Sequence, residues 1–285
     1  MGFFASFWAW LNGQLATYIG DNTARLATAL EPVVVTLATV YVMAWGYLQL
    51  TGRIDEPFTS GLKRIVMLAV VLGIALRLWL YNSIVVDTFY RSPAQLATAI
   101  VGVNDPVSTV DAVWSQGGAV ASLLWNRGSV LLGDVGFYIA GAVVWILVGI
   151  LCVYTMFLIA LSSVALAILL AIGPLFVVAL LFEQSRRLFA AWVTQLANYA
   201  LITILTVLVA ALLLQIVESY ARQTAAHGAA IVTVDALDML LVAGLVLLVM
   251  RQVMPIAAAL ASGVALSSFG VVSRLVGWPL RRVVP

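Results

Sequence analysis

Charge is what this chain has least of. From Val135 through Phe182 there is no Asp, Glu, Lys or Arg. Across 285 residues, 9% are charged against 64% hydrophobic, and the mean hydropathy is +1.12. Too few ionic side chains remain to coat a water-facing surface, which excludes an ordinary soluble domain. A single histidine, His227, and a single cysteine, Cys152, exclude an intrachain disulfide and any zinc site built from His and Cys ligands. Cys152 stands among apolar neighbours, where packing is expected of it rather than reactivity. H-E-x-x-H, G-x-S-x-G, P-loop and G-x-G-x-x-G patterns are all missing, so neither enzyme chemistry nor a cofactor or metal is expected. The 14 basic residues are dispersed and the net charge is +2, which argues against sequence-specific nucleic-acid binding. The first basic residue is Arg25, so the charged start of a cleavable signal peptide is not expected either.

What is present is hydrocarbon-length sequence. A span takes roughly 20 apolar residues. Uncharged runs cover Pro32–Gly52 and Leu188–Val217, while Ile65–Val86 is interrupted only by Arg77 and Met239–Ser273 only by Arg251. The expected fold is all-α, a polytopic transmembrane helical bundle with an N-terminal amphipathic helix and a helical periplasmic loop. Its parts are residues 1–30, the amphipathic helix; 31–82, two spans around a cytoplasmic loop at 51–64; 83–134, the periplasmic region; 135–273, a C-terminal bundle; and 274–285, a basic cytoplasmic tail.

Basic residues near span ends set orientation. Arg53, Lys63 and Arg64 place 51–64 in the cytoplasm and the N-terminus outside. Asp87, Asp105, Asp111 and Asp134 place the next stretch in the periplasm. Arg186-Arg187 falls inside, and Arg274, Arg281 and Arg282 put the C-terminus inside. This holds if Val135–Phe182 makes one net crossing with an interfacial, re-entrant or buried companion, giving five spans. Two full crossings there would give six and invert every later loop.

Phe4, Trp8, Leu11, Leu15 and Tyr18 recur at helical spacing, with Ser6, Gln14 and Thr17 off the stripe. In the periplasmic region, Ser92-Pro93, Asn104-Asp105-Pro106, Gly117-Gly118 and Asn126-Arg127-Gly128 read as boundaries or turns. Ser108 with Asp111 reads as a helix start. The region is too short for its own core, so its helices are expected to lie on the membrane bundle, with Trp114 and Trp125 as interfacial anchors. Asp235 and Asp238 share a helical face at a span mouth and read as solvated carboxylates. No carboxylate interrupts an apolar run, which weighs against an ion-coupled transporter.

The densest pattern is Gly173-Pro174-Leu175-Phe176, followed by Ser185-Arg186-Arg187-Leu188-Phe189, Trp192 and Leu196-Ala197-Asn198-Tyr199. Pro174 lacks an N–H and loosens the turn before it; Gly173 admits a neighbouring helix closely. Arg186 and Arg187 are expected to hold a segment end at the cytoplasmic surface, with Trp192 at headgroup depth. A second pattern runs Arg251-Gln252-Val253-Met254-Pro255, then through small residues to Gly263. Arg77, before Leu78-Trp79-Leu80-Tyr81, reads as a snorkelling span end. Arg251 either ends a span near Pro255 or faces a protein-lined interior.

These two patterns resemble the TrbL-type polytopic inner-membrane subunit of type IV secretion and conjugal transfer systems. The resemblance covers about a third of the chain. It implies a non-enzymatic platform and conduit component that forms a homo-oligomeric ring, a pentamer, in the bacterial inner membrane. Implied partners are the minor pilin at the pilus tip, the major pilin, scaffold subunits of the inner-membrane complex, the secretion ATPases and membrane lipid. In such a ring, Gly173 would suit contact between protomers. The alternative is a small-solute transporter or channel acting alone.

Overall fold

A backbone buried away from water must satisfy its own polar groups, and the helix does so within one segment. The computed structural model describes residues 2–52, 58–102, 106–128, 135–181, 185–227 and 233–276. Among these residues the chain is helical, with no strand. The elements are α1 (Phe3–Leu50), α2 (Phe58–Leu76), α3 (Leu78–Tyr81), a π-helix (Asn82–Arg91), α4 (Ser92–Val101), α5 (Pro106–Arg127), α6 (Val135–Ala171), α7 (Gly173–Ala179), α8 (Arg186–His227) and α9 (Thr233–Val276). Among the described residues four stretches are long and apolar enough to cross a membrane: Phe3–Leu50, Val135–Ala171, Arg186–Ile216 and Leu241–Ala261. The pair Gly61–Leu76 and Leu78–Val101, bent by 87°, makes a fifth where it is counted as one broken span and none where it is a re-entrant loop. The chain is therefore an all-α polytopic bundle. Its long uncharged run holds one 37-residue helix and the 7-residue α7. Arg77 is the exposed, extended residue (φ −94°, ψ 103°) at the corner of the bent pair.

The chain divides into two compact units. The first comprises residues 1–13, 92–164 and 199–259. Its core is built around α5, whose Val107, Val110, Val113, Val120 and Leu124 are buried against apolar side chains of α6, α8 and α9. Helix α5 thus contributes a buried apolar face to this core while Ser115, Leu123 and Trp125 stay exposed. Gly117-Gly118 is not a turn but mid-helix: a Cβ on Gly117 would press into Val148 of α6. On the facing helix, a Cβ on Gly141 would stand 2.6 Å from the Trp125 ring and 3.1 Å from the Ala121 carbonyl oxygen. Apolar helices approach closely where small residues let them, and these glycines serve that contact. Trp114 and Trp125 flank Trp145 of α6, with ring centroids 5.4 and 6.4 Å away. The Trp125 indole donates to the Tyr138 carbonyl at 3.2 Å. Cys152 is 1% exposed and packs as expected.

Asp111 does something the sequence did not disclose. Helix α5 begins earlier, at Pro106, and the Asp111 carboxylate accepts from the Phe4 and Ala5 backbone N–H groups at 3.1 and 2.9 Å. It caps the first turn of α1, whose N–H groups have no partner within the helix. Asp111→Ala is expected to cost roughly 0.5–2 kcal/mol of local stability. Amide hydrogen exchange at the first turn of α1 should accelerate several-fold, and less so in Asp111→Asn, which keeps one acceptor.

The second unit comprises residues 14–91, 165–198 and 260–285. Within it α1 buries Leu15, Ile19, Thr23, Ala27 and Val34. Tyr18, assigned to the stripe from sequence, is 45% exposed and Ile19 takes its place. The cause is continuity: α1 runs 48 residues through Pro32, so the buried line keeps stepping by four. The boundary at residues 30 and 31 falls inside one helix. In the same unit, α2 packs against α7.

Candidate functional site

The Gly173–Pro174 break creates a defined chemical problem. An α-helix carbonyl accepts from the N–H four residues on. Ile168 still does so, from Ile172 at 3.3 Å. The Leu170 carbonyl would need an N–H at residue 174, where proline has none. The Leu169 carbonyl would need Gly173, which instead opens α7 after Ile172 has left helical geometry (φ −92°, ψ 2°). Two carbonyls, a buried one at Leu170 and a part-buried one at Leu169, are thereby left without helical partners, and a buried one costs about 1–3 kcal/mol if unsatisfied.

Two aromatic side chains supply the missing donors. The Tyr81 hydroxyl donates to the Leu170 carbonyl at 2.7 Å, and the Trp192 indole N–H donates to the Leu169 carbonyl at 2.9 Å. Thr23 of α1 approaches the same Leu170 carbonyl at 3.5 Å. Tyr81 is fully buried and Trp192 is 3% exposed. Glycine is required between them: a Cβ on Gly173 would collide with the Tyr81 hydroxyl and stand 2.8 Å from Trp192 Cζ2. The Phe176 ring stacks on Trp192 (centroids 5.7 Å apart, planes 8° apart), and Phe189 leans on it from α8 at 5.6 Å.

The far end of α7 is closed the same way. Ser185 Oγ donates to the Ala179 carbonyl at 2.8 Å and Arg186 Nε to the Leu180 carbonyl at 3.4 Å. A cation at a helix C-terminus also complements its dipole. Arg187 is exposed. Gly173, Pro174, Phe176, Arg186 and Trp192 thus form one cluster. Within it Trp192 is packed inside with its N–H on a carbonyl, and Gly173 meets side chains of its own chain.

The remaining candidates lie apart. Asn198 Oδ1 is buried with no hydrogen-bond partner among the described residues. Pro255 and Arg251 are exposed on α9. Gly263 lies further along α9, and its surroundings are outside the described residues, as are the side chains of His227 and Asp235. Tyr81 and Thr23 were not singled out from sequence. The signal for a donor was there, since a buried proline demands one for the carbonyl four residues back. In the sequence Tyr81 reads only as the last residue of the span end that follows Arg77. Among the described residues no cluster of His, Cys, Asp or Glu has the makings of a metal site.

Membrane-length helices, and a proline-broken segment whose two ends are sealed by side chains, define a multi-pass membrane protein with a built structural centre. Comparison with known proteins names the class more closely. The family model described as TrbL/VirB6 plasmid conjugal transfer protein matches residues 38–253, and the chain belongs to that family; it is a multi-pass inner-membrane protein. Similar proteins include the type IV secretion system protein VirB6 of Bartonella quintana, 22% identical over 219 residues, covering 75% of this chain and 67% of that relative. The VirB6 protein of Brucella abortus is 27% identical over 214 residues, covering 68% of this chain and 60% of its own length. Protein VirB6 of Agrobacterium tumefaciens is 26% identical over 205 residues, covering 70% and 67%. The match thus spans about two thirds of these relatives or somewhat less.

Proposed function

We propose that this chain is an inner-membrane platform and channel component of a type IV secretion system. It forms a homo-oligomeric ring, a pentamer, that supports pilus assembly and substrate translocation without catalysing a reaction itself. The N-terminus is periplasmic and the C-terminus cytoplasmic, in keeping with the basic loop 51–64 and the basic tail. The minor pilin docks on the ring, major pilin subunits are recruited to it, and scaffold subunits and the secretion ATPases complete the assembly.

The observation that carries this reading is the family match over residues 38–253, which includes the whole Gly173–Trp192 cluster. The test is purification of the tagged full-length protein from its native membranes in mild detergent, with mass measurement and identification of what accompanies it. A multimer bringing pilins and scaffold subunits is expected. A self-contained monomer that conducts small solutes alone would sink the proposal and establish the transporter reading.

A further inference from the structure

Helix α2 and residues 78–91 belong to one compact unit, and a sharp corner joins them. The helix is 19 residues long, about 28 Å at 1.5 Å per residue, close to the roughly 30 Å of the hydrocarbon core. Exposed Leu62, Val66 and Val70 line one side of it at steps of four, an outer strip suited to lipid. Charges in the sequence bracket its apolar stretch, with Lys63 and Arg64 before it and Arg77 after it. Long basic side chains at span ends reach back to the interface.

At Arg77 the chain turns by 87° into Leu78–Val101. Such a corner belongs either at the membrane surface or, in a broken or re-entrant span, inside the bilayer. Arg77 decides between them. It is exposed, and facing lipid at mid-depth would cost about 2.5–3.5 kcal/mol. A corner at the surface removes that cost. Leu78 and Trp79, both exposed, lie in the corner turn itself, and tryptophan is a residue type of the interface.

With α2 crossing steeply, an 87° turn lays the next segment along the membrane, and its surface is divided to suit. Hydrogen bonds in the π-helix run five residues apart, so side chains four and five apart share a face. Tyr81, Val85 and Val86 form the buried one. One outer edge carries Asn82, Ser83, Asp87 and Arg91. Arg91 pairs with Asp87 at 3.1 Å, and their side chains are 67% and 45% exposed. No apolar residue of the π-helix interrupts that edge. The other carries exposed Ile84, half-buried Phe89 and Thr88, whose hydroxyl already donates to the Ile84 carbonyl at 2.6 Å.

We infer that the π-helix Asn82–Arg91 lies flat in the membrane surface where α2 ends. Its Ile84–Thr88–Phe89 edge rests on lipid, and its Asn82–Ser83–Asp87–Arg91 edge is in water, the arrangement of an interfacial amphipathic helix. The pair at the bend then makes one crossing, by α2 alone. The inference rests on membrane insertion of α2 and not on the secretion reading, a ring or any protein partner.

Depth-resolved fluorescence quenching tests it. The single substitutions Asn82→Cys, Ser83→Cys, Ile84→Cys and Thr88→Cys are made in the full-length chain carrying Cys152→Ala. Each is labelled with a small fluorophore and reconstituted in vesicles of phosphatidylethanolamine and phosphatidylglycerol. An interfacial helix sinks only about 5–10 Å, so at residues 84 and 88 a nitroxide near the headgroup should quench about twofold more than one near the acyl-chain end. Iodide in the water should quench the labels at 82 and 83 several-fold more than those at 84 and 88. Residues 83 and 84 are neighbours, so the contrast between them reads orientation and not position along the chain. Each edge has two labelled positions, and a variant that fails to insert leaves the other to carry the comparison. Stronger quenching by the deep nitroxide at Ile84→Cys, or lipid quenching that rises steadily from residue 82 to 88, would overturn the inference in favour of a broken or re-entrant span. Equal iodide access on both edges would overturn it by placing the segment in water. Labels at 84 and 88 that no quencher reaches would do so by revealing a protein cover.

Discussion

Gly173→Leu is expected to leave membrane insertion intact and to destabilise the protomer severely. The uncharged run that inserts is untouched, but the new side chain must enter space held by the Tyr81 hydroxyl and the Trp192 ring. Overpacking a well-filled site costs about 1–3 kcal/mol. Displacing both aromatic donors also strips the Leu169 and Leu170 carbonyls of their partners, at about 1–3 kcal/mol each. The combined loss approaches the whole stability of a typical domain. Detergent-extracted Gly173→Leu should aggregate at a temperature well below wild type in a size-exclusion melting series. Gly173→Ala, with only a methyl group to place, should lie between. Because that methyl meets the Tyr81 hydroxyl first, Tyr81→Phe should cost less in the Gly173→Ala background than in wild type. Strict additivity of the two substitutions would show that the collision does not matter.

Trp192→Ala should come second, at about 3–5 kcal/mol, the usual range for removing a large buried aromatic side chain. It deletes the stacking surface of Phe176, the lean of Phe189 and the donor to the Leu169 carbonyl. Trp192→Phe separates these contributions: the ring remains while the N–H is lost, so the expected cost falls to roughly 1–3 kcal/mol for the orphaned carbonyl. The same melting series measures both. A Trp192→Phe as damaging as Trp192→Ala would mean that the hydrogen bond, and not the stack, holds the cluster.

Membrane proteins announce their helices through charge, and here the uncharged runs placed the long helices well. The Gly-Pro break and its Ser-Arg exit were visible for a related reason: proline and the charged residues beyond it are local interruptions in an otherwise apolar text. Less visible was what answers the break. Tyr81 is 89 residues from Leu170, and nothing local distinguishes a tyrosine bound for a carbonyl from one bound for headgroups. Glycine misled for a different reason. In water, Gly117-Gly118 signals a turn because glycine weakens helices; between apolar helices the same residue is a contact surface. Asp111 followed suit, its spacing from Ser108 fitting a local cap although its partners are 106 and 107 residues away.

The broken end of α6 also has a place in time. As the chain is made, Leu169 and Leu170 emerge before Trp192, so one of the two carbonyls waits for a donor not yet synthesised. Tyr81 is already there and can close its half early. An insertion halted between the two leaves a polar scar at the α6–α7 junction that only the arrival of α8 heals. Completion of this joint is thus a record, written in two hydrogen bonds, that the downstream helix has been delivered and seated.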